Sequence, residues 1–139
     1  MSKIVIIGAG AMGSAFALPC LDNNHDVNII GTHLENDFID QLKNNNNLHP
    51  GLNTKIPKEI QIYKFEEFDR LLKSNVDLIV LGISSKGIEW VADQLSRLFE
   101  KSKIPKLLML TKGLSIHNNK YELLVDKLER LLDDRGIKK

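Results

Sequence analysis

The sequence predicts an α/β fold, a doubly wound parallel sheet with helices on both faces. Short aliphatic and β-branched runs, typical of strands that are buried on both faces, alternate with segments whose apolar residues recur at helical spacing. Glycines follow several of these runs, as expected where a strand ends in a turn. Because crossovers between parallel strands are right-handed, the intervening helices must cover both faces of the sheet.

The first unit along the chain is a strand, a helix and a second strand. We predict the strands at residues 3–7 and 26–30, and the helix over residues 12–23. Pro19 lies inside this predicted helix and removes one backbone hydrogen bond, so we expect a kink there.

The later elements continue the same alternation. A helix is predicted over 37–43 with Asn36 as its N-cap, followed by an asparagine-rich loop at 44–47. Further strands are predicted at 60–62, 76–81 and 106–110, and further helices over 66–73, 88–98 and 121–132. This gives five strands, where two complete mononucleotide-binding halves would supply six. We therefore expect a sheet that is one strand short.

Composition narrows the classes of protein and partner. The 139 residues suit a single domain spanning 1–139, and 42% hydrophobic with 27% charged residues is typical of a globular chain. The net charge of +1 provides no global field for binding nucleic acid or an anionic membrane, so we expect neither partner. Cys20 is the single cysteine and cannot form an internal disulfide, which favours a reduced, cytoplasmic setting. No Cys/His cluster has zinc-ligand spacing, and no metal is expected.

A complete G-x-G-x-x-G motif occupies residues 8–13, between the first strand and the first helix. In this context Gly8 permits a tight turn, Gly10 lets a pyrophosphate approach the backbone, and Gly13 allows close packing of helix on strand. The free amides and positive dipole end of the helix would then bind phosphate groups. The motif predicts a Rossmann dinucleotide-binding fold, with these cofactor-binding residues: Gly8, Gly10, Ala11, Met12 and Gly13.

The choice between NAD and NADP stays open. An acidic residue about 20 positions beyond the glycines usually binds the ribose 2′-hydroxyl of NAD. This chain instead has Thr32 and His33 after the second strand, which we expect to contact the cofactor, and Glu35 is slightly late. With no carboxylate directly after the second strand to repel a 2′-phosphate, the sequence is compatible with NADP and with the use of both cofactors. No nearby arginine is present to bind the 2′-phosphate of NADP.

The chain resembles the coenzyme domain of NAD(P)-dependent glycerol-3-phosphate dehydrogenase in three motifs, which occur in the same order and spacing. These motifs are residues 8–15, residues 47–51 with Ile56-Pro57 following, and the Leu-Thr-Lys-Gly-Leu of residues 110–114. The resemblance covers essentially the whole chain. It implies hydride transfer between nicotinamide and a small phosphate-bearing substrate, interconverting dihydroxyacetone phosphate and sn-glycerol 3-phosphate.

The same resemblance assigns roles to residues in the second half of the chain. Lys112, in the Thr-Lys-Gly motif, is expected beside the nicotinamide and the substrate, both as a catalytic residue and as a cofactor contact. Its place just past a strand end would let an ammonium attract phosphate or polarise a carbonyl. After the fourth strand the family usually has Val-Pro-Ser, whereas this chain has Gly-Ile-Ser-Ser at residues 82–85 and lacks the proline. Ser84 is either a cofactor neighbour or a turn or N-cap serine.

Family members place their general acid/base lysine in a helical second domain that begins beyond this length. We therefore expect this chain to bind the cofactor but to be inactive alone, as part of a longer enzyme or as an isolated domain. The absent partner domain should leave an exposed apolar surface that favours self-association, with a homodimer as one form.

Other interpretations remain. Ketopantoate reductase shares the glycine turn but typically has Gln-Asn-Gly where this chain has Thr-Lys-Gly. A module that binds NAD(P) without chemistry, as a sensor or scaffold, is a second alternative. Two aromatic residues are expected to be structural or inert: Trp90 in the core rather than stacked on adenine, and His49 exposed rather than catalytic.

Overall fold

The computed structural model describes residues 1–137 and contains nine strands and five α-helices. The strands are β1 (Lys3–Ile7), β2 (Asp26–Ile30), β3 (Leu48–His49), β4 (Thr54–Lys55), β5 (Gln61–Tyr63), β6 (Leu78–Leu81), β7 (Lys106–Met109), β8 (Leu114–His117) and β9 (Lys120–Leu123). The helices are α1 (Ala11–Asp22), α2 (Asn36–Asn44), α3 (Phe68–Leu72), α4 (Ile88–Leu98) and α5 (Leu124–Asp134). Single 3₁₀ turns, Phe65–Glu67 and Ser85–Gly87, precede α3 and α4.

The central sheet has five strands in the order β5-β2-β1-β6-β7, and every neighbouring pair is parallel. The predicted number of sheet strands and the predicted fold class are both confirmed. The chain runs from β1 outward to β5 and then returns to β6 on the other side of β1. This change of direction places a crevice at the carboxyl ends of β1 and β6.

Alternate residues of the central strands face two separate hydrophobic layers. Ile4 and Ile6 lie in one layer with Ala17 of α1 and Ile39 of α2. Val5 and Ile7 lie in the other layer, which is built largely from α3, α4 and α5. Because successive side chains of a strand point to opposite faces, this division shows that helices cover both faces of the sheet.

The first helix packs directly on the backbone of the strand ends. A Cβ atom added to Gly13 would lie 2.8 Å from the carbonyl oxygen of Gly8 and 3.1 Å from a methyl carbon of Ile6. Gly13 itself is buried within α1, which continues through Pro19 to Asp22. A glycine at this position therefore sets how closely α1 approaches β1.

Two boundaries differ from the sequence-based predictions. Glu35, not Asn36, is the N-cap of α2, and Asn36 is the first residue of that helix. The Asn36 Oδ1 atom accepts a hydrogen bond from the backbone N–H of Phe65 at 3.1 Å. The prediction of Asn36 as the N-cap was wrong because the helix begins one residue earlier: the Glu35 carbonyl already accepts the Ile39 N–H at 2.9 Å.

The predicted last helix begins three residues later than expected, at Leu124 rather than at Tyr121. The preceding segment forms a hairpin of β8 and β9, whose two turn residues, Asn118 and Asn119, have φ of 51° and 62°. Asparagine tolerates this left-handed conformation better than most residues do, and a two-residue turn of this kind closes hairpins. Tyr121 continues the apolar spacing of α5, but it lies in β9 and is 79% exposed.

An ion pair fastens this hairpin to α5. The Arg130 guanidinium donates to both carboxylate oxygens of Glu122, at 2.9 and 3.0 Å. Because these hydrogen bonds stabilise the ionised form, they lower the pKa of Glu122 to about 2. The carboxylate therefore remains ionised at any pH at which such a protein would work.

No helix among residues 1–137 combines the length and the apolar character that crossing a bilayer requires.

Replacement of Gly13 by alanine should lower the free energy of unfolding by about 1 to 2 kcal/mol. The added methyl would lie 2.8 Å from the Gly8 carbonyl oxygen, a backbone atom that cannot move aside as a flexible side chain would. The cost therefore lies at about 2–3 kcal/mol, the upper part of the usual range, and exceeds the roughly 1 kcal/mol that alanine gains over glycine within a helix. Urea denaturation of the two proteins measures the difference.

The matched control for this substitution is Gly10→Ala, because a Cβ at Gly10 meets no atom within 4 Å. Its unfolding free energy should change by less than about 0.5 kcal/mol, since the gain from a stiffer unfolded chain offsets a poorer N-cap. Equal stability of the Gly13→Ala variant and the wild-type chain would contradict the packing role of Gly13.

Candidate functional site

A cavity of about 560 Å³ lies at the carboxyl ends of β1, β2 and β6. Its walls come from three parts of the chain: Gly8 and Gly10 after β1, residues 32–35 after β2, and the segment after β6 that includes residues 82–84, residues 86–87 and Trp90. Ligands of open parallel sheets bind at this kind of reversal in strand order. The glycine motif therefore lies where the fold favours ligand binding.

Gly8 makes the turn that brings the chain out of β1. Its φ of +112° lies in the region that favours glycine, and an added Cβ would overlap the carbonyl oxygen of Gly82. The Gly8 N–H donates to the Ile30 carbonyl at 2.9 Å, and the Gly82 N–H donates to the Ile7 carbonyl at 2.8 Å. The turn is thus joined to both neighbouring strands.

Gly10 is the residue that opens the turn to the cavity. It is the N-cap of α1, its φ of −68° is available to any residue, and no side chain caps the helix there. A helix begins with amides that have no partner within the helix, and these amides carry a partial positive charge. The amino end of α1 can accordingly receive an anion, with room for it above Gly10.

Glu35 supplies a carboxylate to the cavity wall. Its Oε1 accepts the Thr32 N–H at 2.9 Å, and its two oxygens lie 3.3 and 3.2 Å from the Ala9 nitrogen, which donates to them. Glu35 comes slightly late in the sequence for the usual ribose-binding position, but its side chain reaches back from the start of α2 toward the glycine turn. The Thr-x-x-Glu spacing, in which the glutamate returns to an N–H three residues earlier, was the available signal.

Thr32 and His33 both line the cavity, as their prediction requires. The His33 ring lies against Trp90, with ring centroids 4.9 Å apart and planes 32° from parallel. Trp90 is half-buried and also packs on Phe68 at 5.8 Å. The prediction of Trp90 as a core residue is confirmed only in part, because the same ring forms an aromatic wall of the cavity.

Of the remaining predicted residues, Ser84 lines this cavity, whereas Ala11, Met12, Gly13 and Lys112 do not. Ser84 lines it, and although Ser84 is the N-cap of a 3₁₀ turn, its hydroxyl makes no capping hydrogen bond. Ala11 and Met12 begin α1 and are exposed, outside the cavity lining.

Lys112 follows β7, is exposed, and does not line the cavity. The structure brings its loop near the site through Thr111, whose hydroxyl donates to the Ile83 carbonyl at 2.7 Å. Thr111 was not predicted as a site residue, and this hydrogen bond joins the loops after β6 and β7.

His49 is buried, with 2% of its surface exposed, so the prediction that it is exposed was wrong. Strands β3 and β4 form a small antiparallel hairpin that brings the ring against the carbonyl of Ala9, with Nε2 2.9 Å from that oxygen. Sequence patterns gave no sign of this hairpin because each strand has two residues.

Among residues 1–137, no group of three or more His, Cys, Asp or Glu side chains could hold a metal ion. The cavity is lined instead by the backbone of the glycine turn, the Glu35 carboxylate, the Lys86 side chain, the aromatic wall of His33 and Trp90, and two residues that carry hydroxyl groups, Thr32 and Ser84.

Comparison with known proteins identifies the family. The model of the family described as NAD-dependent glycerol-3-phosphate dehydrogenase N-terminus matches residues 3–137. The NADP(+)-dependent glycerol-3-phosphate dehydrogenase of Archaeoglobus fulgidus is 30% identical over 131 residues, which are 94% of this chain and 37% of that protein. The glycerol-3-phosphate dehydrogenase [NAD(P)+] of Bacillus pumilus is 33% identical over 106 residues, covering 76% of this chain and 29% of that protein.

A solved structure shows the same fold. Glycerol-3-phosphate dehydrogenase from Coxiella burnetii superposes with a TM-score of 0.71 at 21% identity, over 96% of this chain and 37% of that chain. The chain thus spans 29% to 37% of the length of these relatives. The family description and the relatives' names confirm NAD or NADP as the cofactor class of the family. The resemblance drawn from the three sequence motifs is confirmed, and this chain belongs to the family of NAD-dependent glycerol-3-phosphate dehydrogenase N-terminal domains.

Proposed function

We propose that this chain is a single NAD(P)-binding domain, residues 1–139, of a longer glycerol-3-phosphate dehydrogenase. One observation carries the proposal: the uncapped amino end of α1 and the Gly10 turn open onto a cavity where the strand order reverses. Free amides and an unobstructed backbone are the features that bind a diphosphate in this fold.

The cavity walls fit the rest of a dinucleotide. The aromatic wall of His33 and Trp90 suits a heteroaromatic base, because offset planar rings attract one another. Glu35 offers carboxylate oxygens to ribose hydroxyls, which are donors. Thr32 and Ser84 add hydroxyl groups at the rim.

In the longer enzyme the proposed reaction is the interconversion of dihydroxyacetone phosphate and sn-glycerol 3-phosphate. The nicotinamide, when bound, supplies or takes up the hydride. This chain's contribution is the position of the cofactor, together with Lys112 as a cation for the substrate's phosphate or its developing alkoxide. Hydride transfer also needs a proton donor and a site that excludes water. We propose that a further domain supplies both, so that this chain alone is inactive.

The proposed setting of the protein is a reduced, cytoplasmic compartment, with a small phosphate-bearing substrate as partner and no nucleic acid or membrane. Burial raises the pKa of the Cys20 thiol, which favours its protonated, unreactive form.

Self-association of the isolated chain, with a homodimer as one form, is proposed from an exposed apolar group on the β8–β9 hairpin and the start of α5. The large exposed side chains there are Leu114, Ile116, Tyr121, Leu123 and Val125.

The first test of the proposed function is a titration of NADH into the chain, followed by nicotinamide fluorescence. The wild-type chain should bind, and Gly10→Ala should weaken binding about tenfold or more, because a methyl occupies the space that a diphosphate needs. Urea denaturation provides the control, since the fold of this variant should be intact. The proposed site would be contradicted if the wild-type chain did not bind NADH, or if the wild-type chain and Gly10→Ala bound NADH with equal affinity.

Removal of the charge on Glu35 should shift cofactor selectivity toward NADPH. A carboxylate repels a 2′-phosphate and accepts from a 2′-hydroxyl, so Glu35→Gln should raise the ratio of NADPH affinity to NADH affinity by about tenfold. Fluorescence titration with both cofactors measures the ratio. Glu100→Gln is the matched control, because it removes the same charge from an exposed residue just past α4. If Glu35→Gln left the ratio of NADPH affinity to NADH affinity unchanged, the proposed contact of Glu35 with the ribose would be contradicted.

Lys112 is tested in a dehydrogenase that contains this domain at the full length of its relatives. Lys112→Ala should lower kcat/KM for dihydroxyacetone phosphate about a hundredfold, by loss of one stabilising cation, with NADH affinity changed less than about twofold. Lys120→Ala, an exposed lysine of the β8–β9 hairpin, is the control.

Steady-state oxidation of NADH and NADPH provides the rates for Lys112. A rate unchanged by Lys112→Ala would remove this residue from the mechanism. Turnover with ketopantoate alone would contradict the proposed substrate.

A further inference from the structure

Both polar groups of Ala9, the middle residue of the Gly8-Ala9-Gly10 turn, are held by side chains from separate parts of the fold. The Ala9 carbonyl accepts from the His49 ring at 2.9 Å and from the Ser14 hydroxyl at 3.2 Å. Its N–H donates to the Glu35 carboxylate. Ala9, Ser14 and His49 are all buried, so water does not compete for the two hydrogen bonds to the Ala9 carbonyl.

The hydrogen bonds of His49 fix the proton on its ring. The backbone N–H of Gly51 donates to Nδ1 at 3.1 Å, so Nδ1 must present a lone pair. The neutral imidazole then carries its proton on Nε2, which donates to the Ala9 carbonyl oxygen. The Phe38 ring packs against the imidazole in a T-shaped arrangement, with the ring centroids 5.4 Å apart.

The direction of the Ala9 carbonyl determines the direction of the next amide. The carbonyl of Ala9 and the N–H of Gly10 belong to one planar peptide group, and in a trans peptide they point in opposite directions. The structure contains no cis peptide bond among residues 1–137. Because His49 of β3 and Ser14 of α1 both donate to this carbonyl, the Gly10 N–H is directed away from these two donors. Gly10 lines the cavity, so its amide direction matters for an anion bound there.

We propose that His49 is a positioning residue for diphosphate recognition, acting with Ser14 through the Ala9–Gly10 peptide without touching the ligand. The inference rests on the proposed function, since it assumes that the diphosphate binds above Gly10. A peptide held in its binding orientation before the ligand arrives loses little further freedom on binding, and such preorganisation increases affinity. Without His49, the Ala9–Gly10 peptide would lose conformational entropy when the ligand binds, and this loss would lower the affinity.

The test compares two ligands, one with a diphosphate and one without. ADP-ribose and adenosine are titrated into the wild-type chain and His49→Leu, and binding is followed by amide chemical shifts in nitrogen-15-labelled protein. His49→Leu should weaken ADP-ribose binding about tenfold, as expected for one buried hydrogen bond, and change adenosine binding less than about twofold. A general loss of structure would instead lower both affinities together.

His25→Leu is the matched control. His25 also accepts a backbone N–H through Nδ1, from Ser2 at 3.1 Å, but it precedes β2 at the opposite end of the sheet from the cavity. This variant should bind ADP-ribose as the wild-type chain does. His49→Gln should recover most of the lost affinity, because its amide can donate to the same carbonyl.

Ser14→Ala provides a second measurement that does not depend on the folding of His49→Leu. It removes the other donor to the Ala9 carbonyl and should weaken ADP-ribose binding about threefold, again without an effect on adenosine. Parallel losses for both ligands, or unchanged ADP-ribose affinity in both variants, would overturn the role of His49. A wild-type chain that binds no ADP-ribose would overturn the proposed function, and this inference with it.

Discussion

The close approach of three backbone segments at the carboxyl ends of β1 and β6 is the constraint on which the rest of the site depends. Gly8 and Gly82 lie so near that a side chain at Gly8 would overlap the Gly82 carbonyl, and Gly13 brings α1 onto the same point. This packing places the amino end of α1 directly over the crevice. An anion site of this kind needs amides close to a reversal of strand order, and side chains at these positions would hold the helix away.

Sequence patterns predicted the sheet well because its strands are short, continuous and apolar. The five parallel strands and the helices on both faces follow from runs such as residues 3–7, whose burial on both faces requires cover from two helix layers. The β8–β9 hairpin was missed because Tyr121 matches the helical spacing of α5 while lying in a strand. When a residue fits both helical and strand spacing, tertiary contacts decide whether it lies in a helix or in a strand. The Glu122–Arg130 ion pair is such a contact, and the sequence pattern does not reveal it.

The sequence predicted where the backbone of the candidate site lies, but it predicted fewer of the side-chain contacts there. The glycine turn, Thr32, His33 and Ser84 all follow strand ends, and strand ends meet at one edge of a parallel sheet. Glu35 and His49 act by reaching back to Ala9, 26 and 40 residues away in sequence, so no local spacing indicates their partner. Trp90 was assigned to the core because tryptophan is usually buried, but an aromatic ring can pack on Phe68 and also line the cavity.

The three motifs behind the family resemblance converge on one end of the sheet. Residues 8–15 form the glycine turn and the start of α1. Residues 47–51 bring His49 to the Ala9 carbonyl of this turn, and His49 does not line the cavity. The third motif, residues 110–114, joins the site through Thr111 and the Ile83 carbonyl beside Ser84. On our proposal, the second motif serves the ligand site through a residue that does not touch the ligand, because the direction of a backbone amide depends on what holds the carbonyl of the same peptide group. The anion site that we propose therefore depends on the hydrogen bonds that hold the Ala9 carbonyl as well as on the glycines.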